Sequence, residues 1–200
     1  VFDTNASIEQ LVTELMIMPL NVQPESDPDW SNIANCYSYA CNDKHPSNGY
    51  FGGAIPGSTK GTPAFPGPDY HNRLITGAIA DGMRYCSEND LTHLPNIIDG
   101  HYLVLLLADN NGFHWMRYDH FLNRWSWKSG NSGSVYYNVF NVSKNYCEYI
   151  NMENLSRVLT SERKNYIWNT EMQFIAFFQV PLRGINVSSP RLKRKSMAMS

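Results

Sequence analysis

Two residues of this chain stand where covalent chemistry could use them. Cys36 lies where a helix can begin, and His114 opens a strand directly after the Asp109-Asn-Asn-Gly112 turn. A thiolate is the strongest nucleophile a side chain offers near neutral pH, and it forms when a helix N-terminus or a neighbouring imidazolium depresses the thiol pKa. The pair therefore reads as nucleophile and general base of an acyl-transfer reaction. Such an imidazole needs an acceptor at its second nitrogen. Asn131, in the Gly130-Asn-Ser-Gly133 turn, and Asp119 are the two candidates, although strand alternation turns Asp119 to the face opposite His114. The oxyanion would be met by the Cys36 backbone N–H and one further donor, with Asn35 adjacent.

Other chemistries fail on spacing. The sequence holds no C-x-x-C pair and no H-E-x-x-H, and Cys36 with Cys41 lacks a compact set of further ligands, so neither a metal nor an organic cofactor is expected. Gly57-Ser-Thr-Lys60-Gly61 lacks the Gly-Lys-Ser/Thr ending of a phosphate loop, and Ser132 does not complete G-x-S-x-G. With 16 Lys+Arg against 18 Asp+Glu there is no basic face of the kind nucleic acid demands; an acyl-transfer nucleophile such as Cys36 would instead take a peptide or protein substrate. No window approaches the ~20 apolar residues of an integral membrane segment. A soluble protein is expected, secretion or translocation being compatible with the same sequence. Cys36, Cys41, Cys86 and Cys147 are scattered through a chain too long to depend on a disulfide framework, and free thiols are expected.

These residues must be positioned by local structure. Ser7-Ile-Glu-Gln10 reads as a capping box, and residues 33–41 as a short buried helix or strand. Asn42 to Pro68 carries six glycines and five prolines, which exclude a helix or central strand and fit either the wall or lid of a cleft or an inserted surface loop. Asp69 is expected to cap a helix with Leu74, Ile75, Ala78, Ile79 and Met83 on one face, ending near Cys86. The apolar run 101–108 reads as a buried strand, 113–119 with 124–128 as a hairpin, and 135–140 as a further strand. A helix at 153–164 and a strand at 172–181 complete one α+β domain over residues 1–190, followed by a basic tail at 191–200 that chemistry should not need.

The segments Asn35-Cys-Tyr-Ser-Tyr-Ala40, Ala80-Asp-Gly-Met83, His114-Trp-Met-Arg-Tyr-Asp119 and Trp125-Ser-Trp-Lys-Ser-Gly130 occur in one order over about half the chain. Together they resemble uncharacterised bacterial proteins of the papain-like cysteine hydrolase superfamily, related to its cell-wall peptidase and amidase branch. The resemblance implies a papain-like fold, with N-terminal helices packed on an antiparallel β-sheet. It also implies Cys36 as nucleophile and His114 as base in a cysteine peptidase or amidase, including secreted bacterial effectors. Where those relatives carry a histidine in the last motif, this chain has Trp127, which donates a hydrogen bond but cannot accept one. Papain-like proteases commonly orient their base with an asparagine, which favours Asn131 over Asp119. The loss at position 127 leaves room for a catalytically inactive binding module on the same fold, and the same Cys-His pair would equally serve a transglutaminase- or deamidase-type acyl transferase.

Overall fold

The computed structural model describes residues 30, 33–44, 46, 53–128, 135–141, 146–160 and 172–187, with backbone alone at 138–141, 146–148 and 160. The expected capping box at Ser7, Asn131 and the basic tail lie outside the described residues.

Three α-helices are described: α1 (Cys36–Ala40), α2 (Tyr70–Asp81) and α3 (Met152–Thr160). The strands are β1 (Arg84–Tyr85), β2 (His101–Ala108), β3 (Phe113–Asp119), β4 (Arg124–Lys128), β5 (Val135–Tyr136), β6 (Asn138–Asn141), β7 (Tyr146–Tyr149) and β8 (Gln173–Pro181). Six of them form an open antiparallel sheet in the order β1-β8-β2-β3-β4-β5, and β6 pairs with β7 separately. The protein is thus a mixed α+β molecule with few, short helices. Among the described residues no helix is long and apolar enough to cross a membrane.

The sheet is covered on both faces, which explains the unbroken apolar run of β2. Tyr102, Val104, Leu106 and Ala108 pack into a cluster with residues of α1 and α2, while Leu103, Leu105 and Leu107 pack into a second cluster with Leu155, Val158 and Leu159 of α3. Successive residues of a strand point to opposite faces, so the parity of each residue assigns its layer. In β3, Trp115 belongs to the α1 layer, and Met116 and Tyr118 to the α3 layer.

The hairpin β3–β4, the strand at 101–108 and the C-terminal strand stand close to their expected positions. Other expectations are corrected. The single strand expected at 135–140 is split between two sheets, with Tyr137 between β5 and β6. Helix α2 ends at Gly82, whose φ of 116° is open to glycine at little cost, rather than near Cys86. Ile79 is 45% exposed, so it does not share the core face of Leu74 and Ala78. Asp69 adopts φ 58° and accepts from the Asn72 side chain instead of capping the helix backbone. The part of the Gly/Pro-rich segment described here is packed: it holds a 3-10 turn at Ser58–Lys60, and Ala54, Ser58 and Ala64 are buried. Gly77 of α2 lets this segment approach, because a Cβ there would sit 2.7 Å from the Pro56 carbonyl carbon.

Candidate functional site

Asn35 starts α1. Its Oδ1 accepts the Tyr37 and Ser38 N–H groups at 3.1 and 3.0 Å, which satisfies donors that a helix leaves open at its first turn. Its Nδ2 donates to the Ala54 carbonyl at 2.7 Å, tying the helix start to the packed segment. Cys36 follows as the first helical residue and is 5% exposed. The helix is anchored along its length. Tyr37 donates to Asp81 at 2.9 Å, and the same carboxylate receives the Gly57 N–H at 2.7 Å and the Thr59 hydroxyl. The Tyr39 hydroxyl meets Ser126 Oγ at 2.6 Å, and Lys128 Nζ donates to the Ala34 carbonyl. The Arg117 guanidinium lies 5.0 Å from the Tyr39 ring centroid and 4.4 Å from that of Tyr102, inside the layer between helix and sheet.

The Cys36 thiol is governed by opposing influences. Burial pushes its pKa up to about 11, while the backbone N–H groups of Trp115, Tyr37 and Cys36 itself and the charge of Lys128 pull it down. The expectation that a helix N-terminus leaves a thiolate is therefore not met in this closed arrangement. At neutral pH the sulfur is protonated. Lys128 answers in kind: burial lowers its pKa and Cys36 opposes that fall. Tyr70 also reaches this neighbourhood, its phenol pushed up to about 12 by burial, then by Asp109 and Cys36.

His114 stands elsewhere. It pairs with Leu107 across β2 and β3, one residue out of step with Trp115, and its ring meets Trp127 edge-on at 5.7 Å. Leu107 and Trp127 both belong to the α3 layer. The alternation that carries Trp115 to Cys36 carries His114 to the other face of the sheet, so the structure does not bring the expected nucleophile and base together. Burial drives the His114 pKa down to about 3, which keeps the imidazole neutral. Asp119 sits at the far end of β3, where its carboxylate accepts the Leu122 N–H at 2.9 Å and closes the hairpin turn. It does not orient His114. Trp127 stacks on Tyr136 at 4.5 Å.

Compared with family models, curated proteins and solved structures, the chain matches none. The site must be read from its own geometry. The side chains gathered at Cys36 are Asn35, Lys128 and Tyr70, with the Trp115 backbone, and Lys128 and Tyr70 were not singled out in the sequence. A signal for Lys128 was present. In Arg124-Trp-Ser-Trp-Lys128 the polar Ser126 and Lys128 alternate with tryptophans, and strand parity places both on the helix side with Arg117.

Proposed function

We propose that the chain is a cysteine-nucleophile hydrolase of the papain-like kind, acting on amide bonds through a thioester on Cys36, with Lys128 in place of His114 as the titratable group serving the sulfur. One feature carries this reading: the backbone N–H groups at Cys36 and the charge of Lys128 favour its thiolate, and burial outweighs them. Displacing the 53–57 segment from Asn35 would admit water and substrate to the sulfur. With the desolvation penalty relieved, the N–H groups and the Lys128 ammonium favour ionisation, the thiol proton passing to the water admitted. The thiolate attacks the amide carbonyl, the backbone N–H groups meet the developing oxyanion, and the Lys128 ammonium delivers the proton that the leaving amine requires. Water then attacks the thioester, the neutral Lys128 amine takes its proton, and the C–S bond breaks to release the carboxylic acid and the Cys36 thiolate. Peptidoglycan stem peptides, a host protein and a small amide all fit this chemistry, because a fold does not choose its substrate.

p-Nitrophenyl acetate tests the reading without a known substrate. Acetyl thioester should accumulate on Cys36 ahead of Cys41 and Cys86, nitrophenolate should be released, and Cys36→Ala should abolish both. An added amine that captures the acetyl group would reassign the protein as an acyl transferase. The second reading, a non-catalytic binding module, is favoured by the thiol's 5% exposure and by the imidazole's place across the sheet. It predicts no thioester at all.

A further inference from the structure

At the end of β3 remote from Trp115, a cleft of about 720 Å3 opens beside the starts of β2 and of the β3–β4 turn. That volume falls within the ~300–1,000 Å3 of small-molecule sites. Its apolar lining comes from Leu103 and Tyr118 of the sheet, Ile97 and Ile98 of the preceding segment, and Leu182, which is 56% exposed. Its polar groups include two carboxylates, Asp99 and Asp119.

Neither carboxylate is neutralised by a neighbouring cation among the described residues, where the ion pair found is His93 with Asp90. Arg124, directly across the hairpin from Asp119, instead lays its guanidinium 3.8 Å from the Tyr149 ring centroid. His101 is no partner either, since its Nδ1 meets the Asp99 backbone carbonyl at 3.1 Å and not the carboxylate. Asp119 keeps one oxygen on the Leu122 N–H, and no ammonium or guanidinium among the described residues offsets its charge. An apolar hollow bearing two uncompensated negative charges suits an amine carried on an aromatic or aliphatic body. The body would cover Tyr118 and Leu182 while the ammonium faces the carboxylates.

We propose that this cleft binds a small organic cation. The inference stands apart from Cys36, which lies near the other end of β3, and Cys36→Ala should leave it unchanged. The test is a titration with benzylamine, benzyl alcohol and benzoate at neutral pH, followed by backbone amide resonances. Benzylamine should shift Ile98, Gly100, His120 and Leu182 saturably, with benzyl alcohol weaker and benzoate without effect. Asp99→Asn and Asp119→Asn should each weaken benzylamine about fivefold, the scale of one ion pair near a wet surface. Asparagine at 119 retains an acceptor for Leu122, so the turn survives that change. The proposal is overturned if benzylamine gives no saturable shift, if benzoate moves the same amides as strongly, or if the doubly substituted protein binds benzylamine as well as its parent.

Discussion

The two faces of one strand treat their buried titratable groups in opposite ways. On the helix face of β3, the sulfur of Cys36 is met by backbone N–H groups and the charge of Lys128, all favouring its ion against the cost of burial. One residue away, on the other face, His114 meets the edge of Trp127, and burial holds its pKa near 3. Both groups are buried and neutral at pH 7, but at Cys36 the backbone N–H groups and Lys128 oppose the effect of burial, whereas at His114 burial sets the direction. A group becomes chemical through its neighbours rather than through its residue type.

The largest effect that could break this contrast is in acid. The ordinary His114 pKa of 6.5 applies to the unfolded chain and about 3 to the folded one, so between those values the unfolded state binds the extra proton. The stability this imidazole contributes is complete above pH 6.5 and is lost as pH falls toward 3. The loss should reach about 3 kcal/mol by pH 4, from 1.36 kcal/mol per unit. Urea unfolding across pH should show that slope in the parent and its absence in His114→Leu, with the two proteins within about 1 kcal/mol at neutral pH. A slope unchanged by the substitution would mean that His114 is charged or solvated in the native state.

A smaller effect sharpens the other side of the contrast. Gly77→Ala places a methyl 2.7 Å from the Pro56 carbonyl carbon, which should cost about 2 kcal/mol by overpacking and loosen the segment that Asn35 holds. Iodoacetamide should then label Cys36 faster while the acid slope from His114 stays as it was. Lost stability without faster labelling would show that this segment does not control access to the sulfur.

The sequence made the central sheet legible because its strands are strongly patterned. The run 101–108 is apolar at every position after His101, since both of its faces are covered, and β3 is bracketed by the turns at 109–112 and 120–123. Cys36 at the head of a helix was legible for a similar local reason, with Asn35 as a good N-cap. The partner of the cysteine was harder to read. Motif order says that a histidine lies on a nearby strand, but only parity within that strand says which face it takes. Trp115 and His114 differ by one position, and one position exchanges the faces. The same parity excluded Asp119 as an orienting group and could have found Lys128. The packing of residues 53–64 was not legible, because glycines and prolines mark the absence of helix and strand without revealing that Asp81 and Asn35 hold the backbone in place.

The most direct test of the account is the rate at which iodoacetamide alkylates Cys36 as a function of pH, read by peptide mass spectrometry in the parent, Lys128→Met and His114→Leu. Methionine keeps the stem of the lysine in place while removing its charge. The account predicts that Lys128→Met slows alkylation about tenfold near neutral pH, equivalent to about one unit in the thiol pKa, and displaces the profile to higher pH. His114→Leu should leave both rate and profile unmoved. Slowing by His114→Leu, with no change in Lys128→Met, would contradict the account and return the imidazole to the site.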